Sequence, residues 1–157
     1  MSDERGQNIV EFALVVPVLA LMLFGIFEFG NLFRTQIQLQ NAVREGARFT
    51  AIGGPANYHG TSVTGGGSTG CPSQSDIQTV VRGTAAGLPI TVSAPTYNPS
   101  PCGACTQLTS LPELTISGYY NYTPITPVGT LFRWFGGALG SSIHLSSQST
   151  LYYEACD

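Results

Sequence analysis

Phe12-Ala-Leu-Val-Val-Pro-Val-Leu-Ala-Leu-Met-Leu-Phe-Gly-Ile-Phe27 is an uncharged run close to the N-terminus, and its reading decides the fold. With Ile9, Val10 and Phe29 it is about as long as a helix needs to cross roughly 30 Å of hydrocarbon. One carboxylate, Glu11, stands at its leading edge. A charge at the mouth of such a segment is costly unless a partner neutralises it, which makes Glu11 a functional candidate.

A cleaved secretory signal fits poorly. Residues 1–5 carry two acids against one arginine, the run exceeds a usual apolar signal core, and no A-x-A-like site follows. A retained membrane helix is the better reading. Pro17 lacks a backbone donor, so a kink is expected there, which membrane helices tolerate.

Past Glu28 the pattern changes without stopping. Phe29, Leu32, Gln36, Leu39, Val43 and Gly46 follow three-four spacing, opposed by Arg34, Gln38, Asn41, Glu45 and Arg48. This predicts an amphipathic continuation of one long helix, closed by Gly53-Gly54-Pro55. Residues 54–72 are rich in Gly, Ser and Thr. They lack the GK[ST] ending and the preceding strand of a phosphate loop, so a flexible connector is expected.

Ser75 or Asp76 is expected to cap a short helix over 77–86, closed by Gly87. Three strands are then predicted: one through Leu88, Ile90, Val92 and Ala94, one over 113–122, and one over 142–153. Three short strands are marginal alone, so their apolar face is expected to pack on the apolar stripe of the long helix. The fold class is α+β: a long hydrophobic then amphipathic helix, a short helix, and a small antiparallel sheet on the helix stem. The boundaries read as a leader-like segment 1–6, a membrane or assembly helix 7–30, a stem 31–53, and an extracytoplasmic domain 54–157.

Composition excludes several classes. Net charge is -3, lysine is absent, and the six basic residues are scattered arginines, so no nucleic-acid footprint exists. The four cysteines are Cys71, Cys102, Cys105 and Cys156. An even count in an extracytoplasmic domain favours two disulfides, with three connectivities open; Cys102–Cys105 with Cys71–Cys156 is the preferred one. Cys102-Gly-Ala-Cys105 could also be a redox pair or half a zinc site. No second CxxC exists, and His59 and His144 lack ligand spacing, so no metal or cofactor is expected. The cysteines also place the C-terminal part outside the cytoplasm, whereas the arginine distribution gives no orientation. No nucleophile elbow or other catalytic constellation appears, so the chain is not read as an enzyme.

Gly6-Gln-Asn-Ile-Val-Glu11-Phe12 is the most specific stretch. It resembles the processing site of type IV pilin-like precursors, in the G/xxxxEF form of the tight-adherence (Tad) pilus system. The resemblance extends through Val10-Glu-Phe-Ala-Leu-Val-Val-Pro17, Phe24-Gly-Ile-Phe-Glu-Phe-Gly30 and Ala42-Val-Arg-Glu-Gly-Ala-Arg48 to TadE/TadG-type pseudopilins. Thr123-Pro-Ile-Thr-Pro127 and the closing run to Glu154 are similar more loosely, and the cysteine-bearing stretch 95–112 departs from the family. The resemblance implies a pilin-like fold and cleavage by a prepilin peptidase between Gly6 and Gln7. It further implies pairing of the Glu11 carboxylate with the N-terminal ammonium of a neighbouring subunit. Implied partners are other pilin subunits, the Tad assembly platform and membrane lipid. The implied location is the bacterial cytoplasmic membrane, single-pass, or a surface filament used in adhesion. Read without the resemblance, Glu11 snorkels to the interface near Arg5.

Glu28 follows Glu11 by 17 positions, so at about 100° per residue the two do not share a helix face. Glu28 is expected to mark the membrane exit or to contact Arg34 of a neighbour. Arg44, Glu45 and Arg48 read either as a solvated face or as an inter-subunit contact, with Glu45–Arg48 an intrahelical pair worth only tenths of a kcal/mol. Phe132, Trp134 and Phe135 are expected to cap the small core.

Overall fold

The computed structural model describes residues 4–54, 57–58, 61–62, 71–98, 112–126 and 142–152. The chain divides into two compact units, Met1–Arg34 with Tyr122–Ile143, and Thr35–Asn121 with His144–Asp157. A single continuous helix, α1 (Glu4–Ala51), supplies residues to both. It runs unbroken past Pro17.

In the first unit α1 is long and apolar enough to cross a membrane, and the apolar window is not covered by the rest of the chain. In the second unit the same helix becomes amphipathic. Thr35, Leu39, Ala42, Val43, Ala47, Phe49 and Thr50 are buried, as the three-four spacing requires. The exposed row there is Ile37, Asn41, Arg44 and Arg48, while Gln38 and Glu45 are half-buried; Arg34, exposed as well, is the last helix residue of the first unit. The helix ends where expected. Gly53 and Gly54 adopt φ of +78° and +66°, a region glycine enters without a Cβ clash. Their N–H groups donate to the carbonyls of Thr50 and Phe49 (both 3.0 Å) and so satisfy the last turn.

Two short strands, β1 (Asn57–Tyr58) and β2 (Thr61–Ser62), pair antiparallel within the stretch expected to be a connector. Two-residue strands are too short to leave a period in the sequence. The second helix, α2 (Gln74–Thr84), begins three residues earlier than expected. Its cap is Ser73, not Ser75 or Asp76. The Ser73 hydroxyl accepts from the Asp76 N–H (3.3 Å) and donates to Asp76 Oδ2 (2.7 Å), a reciprocal arrangement at the helix start. Ile77, Val80 and Val81 form the buried face of α2, and Ala85 beyond it is buried too.

The sheet has four strands where three were expected. β5 (Glu113–Tyr122) is the central one. β3 (Thr91–Val92) and β4 (Thr96–Asn98) run successively along one edge of it, and β6 (Ile143–Tyr152) pairs with it as well. Val92 faces Gly118 and Thr96 faces Thr115, so three residues, 93–95, oppose two on β5. This is a bulge, placed where Pro95 has no N–H to give the ladder. The alternation Leu114, Ile116, Gly118, Tyr120 turns one face of β5 inward, with Leu114 and Ile116 fully buried. That face meets the helix stem: a Cβ at Gly118 would collide with Val43 Cγ2 and lie 3.7 Å from Leu39 Cδ1. Gly46 likewise lets α2 approach α1, since its Cβ would fall 2.5 Å from Val81 Cγ2.

α2 also closes the β3 edge. Gln78 Oε1 accepts from the Val92 N–H (2.9 Å) while its Nε2 donates to the Ile90 carbonyl. Gln74 Nε2 donates to the Val92 carbonyl (2.9 Å). Side-chain amides therefore stand where a neighbouring strand would pair, which protects an otherwise open edge.

Candidate assembly helix and its carboxylate sites

Gly6 and Gln7 lie within the first turns of α1. Glu11 is exposed, and Phe12 beside it is 70 % exposed, so both project from the helix uncovered by their own chain. Along the same side, given about 100° per residue, follow Val18, Met22, Gly25 and Phe29. Met22, Gly25, Ile26 and Phe29 line a shallow apolar notch, with open space at Gly25. Phe29 and Phe33 pack edge to face with ring centroids 4.7 Å apart.

Glu28 has a different environment. Its Oε1 accepts from the Tyr122 hydroxyl (2.5 Å) and the Ile125 N–H (3.1 Å). Its Oε2 accepts from the Thr126 N–H (3.0 Å) and the Thr126 hydroxyl (2.6 Å). Asn31 Nδ2 donates to the Tyr122 hydroxyl as well (3.3 Å). Four donors on one carboxylate bind the segment leaving β5 to the helix, and Tyr122 is buried there. The sequence pointed Glu28 toward a membrane exit or a neighbour's Arg34; the structure gives it partners inside its own chain. The run Thr123-Pro-Ile-Thr-Pro127 was the visible trace of that site, but nothing in it names Glu28 as the acceptor.

Arg34, Arg44 and Arg48 are exposed. Cys71 is disulfide-bonded, whereas Cys102, Cys105 and Cys156 lie outside the described residues, as do His59 and the Phe132, Trp134, Phe135 cluster. The stretch 95–112, expected to be an insert, contributes β4 at its start, and its residues 99–111 are outside the described part. His144 is exposed on β6 and stacks with Tyr119 of β5 (5.9 Å between centroids, 21° between planes).

A family model described as TadE-like protein matches residues 6–48. No curated protein and no solved structure matches the chain. The matched stretch holds Glu11, Phe12, Pro17, Glu28 and the Arg44-Glu45-Gly46-Ala47-Arg48 turn of the stem, about a quarter of the sequence. Over residues 6–48 the chain is similar to TadE-like proteins, consistent with a TadE-like protein of a Tad pilus system.

Proposed function

We propose that the chain is a pilin-like structural subunit, a pseudopilin of a Tad-type pilus, held in the membrane by α1 and assembled into, or required for, a surface filament used in adhesion. In this reading residues 1–6 are a leader removed by a prepilin peptidase, 7–30 the membrane and assembly helix, 31–53 the stem, and 54–157 the extracytoplasmic domain. The role is structural and not enzymatic. The observation that carries it is Glu11-Phe12 standing uncovered on an apolar helix, five residues after Gly6, inside the TadE-like match. A carboxylate on an apolar surface calls for a cation, and a new N-terminal ammonium at Gln7 of a neighbouring copy would supply one. The notch around Gly25 supports packing of a second helix on the same side, since small residues let helices approach closely in lipid. Pairing of Cys102 with Cys105 and of Cys71 with Cys156 completes the extracytoplasmic domain, with the assembly platform as the remaining partner.

N-terminal sequencing of sheared surface material from cells with an active prepilin peptidase is expected to start at Gln7. Glu11→Ala is expected to retain membrane insertion and to lose at least about 90 % of filament incorporation, about 1.4 kcal/mol or more of subunit coupling. A chain that stays wholly with the membrane after shearing, and whose E11A variant behaves as wild type, is instead a permanently anchored assembly scaffold.

A further inference from the structure

The Glu28 site does more than join a loop to a helix. Glu28 comes 21 residues after Gln7, and at about 1.5 Å per residue that distance is roughly the thickness of the hydrocarbon layer. Backbone can approach this level only if its polar groups are already satisfied. The segment at Glu28 meets that condition for its donors. Pro124 has no N–H, and the N–H groups of Ile125 and Thr126 and the Thr126 hydroxyl are all given to the carboxylate. The loop turns Ile125 outward, 71 % exposed, with Pro124 half-buried beside it. The helix beside it stays apolar across the same level: Phe27, Phe29 and Phe33 are exposed, and the first exposed charge after Glu28 is Arg34.

We infer that Pro124 and Ile125 dock into the headgroup–acyl boundary of the bilayer, as a second membrane contact, and that Glu28 is the group holding them there. Continuity of the apolar surface from α1 onto this loop favours lipid as the occupant. The inference rests on the reading of α1 as a membrane anchor.

The test uses the full chain in phosphatidylcholine nanodiscs. Trp134, the only tryptophan, is replaced (W134F), and single reporters are placed as I125W, L14W and T79W. T79W marks an exposed position on α2. Lipids brominated near the headgroup are expected to quench I125W more than lipids brominated near the chain end, with the opposite order for L14W and no quenching of T79W. Adding E28Q, which leaves one acceptor oxygen where there were two, is expected to reduce I125W quenching by at least about half with L14W unchanged. If I125W behaves as T79W while L14W is quenched, docking is wrong and the anchor stands. If L14W is also unquenched, the anchor reading fails with it. Shielding of I125W from both bromolipid and aqueous acrylamide would mean a second protein chain covers the loop, which overturns a lipid contact. Unchanged quenching with E28Q overturns the role given to Glu28.

Discussion

The two oxygens of Glu28 take donors from residues 94 to 98 positions away. That separation explains why the site was half legible. The cost of a charge at the end of an apolar run can be read from neighbouring residues, but the groups that offset it come from a distant loop. Ser73 shows the opposite case, in which the partner is three residues on. The motif Ser73-x-x-Asp76 was in plain view, yet Ser75 and Asp76 compete for the same role by composition. The hydroxyl geometry decides it, with Ser73 both accepting from the Asp76 N–H and donating to its carboxylate. Ser73→Ala is expected to cost about 0.5–2 kcal/mol, toward the upper end because buried Asp76 loses a donor. Denaturant unfolding followed by circular dichroism would check this; an unchanged midpoint would remove the cap from the account.

At the scale of elements, α1 carries one stripe with two fates. Met22, Gly25 and Phe29 are uncovered by their own chain, whereas Leu39, Val43 and Gly46 further along the stripe lie in the core of the second unit. Periodicity located the stripe but not the change in what covers it. β5 and β6 were legible because ten-residue strands leave an alternation, and β3 falls inside the strand expected through Leu88 to Ala94, while β4 was not legible, because a bulge at Ala94-Pro95 breaks the period between it and β3. Gly118 in β5 reads from sequence as an interruption of the apolar row. Its role is steric, since Val43 of α1 occupies the space a Cβ would need. Gly118→Val is expected to destabilise the domain by about 1–3 kcal/mol through overpacking, and Val43→Ala in the same chain should return part of that loss. Thermal unfolding of the single and double variants checks the coupling, and strictly additive shifts would show that the two positions do not share this space.

For the whole molecule, the useful division falls at Arg34 and Thr35, within α1 and not at one of its ends. The buried apolar residues of the second unit run from Leu39 to Leu145 and come from the α1 stem, α2 and one face of the sheet. A chain starting at Thr35 is therefore expected to fold and to melt in one cooperative transition, because the described buried apolar residues of the second unit all lie at or beyond Leu39. Calorimetry of that fragment is the check; a broad, non-cooperative melt would make the apolar half of α1 part of the domain's stability.

The sequence by itself determined the long helix, its apolar and amphipathic halves, its glycine stop, the two long strands and the exposed Glu11-Phe12 signature. All of these rest on spacing between near neighbours, which a linear chain displays directly. Only the tertiary structure decided that glutamines of α2 close the β3 edge, that Gly118 makes room for Val43, and that Glu28 is held by Tyr122, Ile125 and Thr126. Those contacts join residues far apart in the chain, and no local propensity encodes which donor will meet which acceptor.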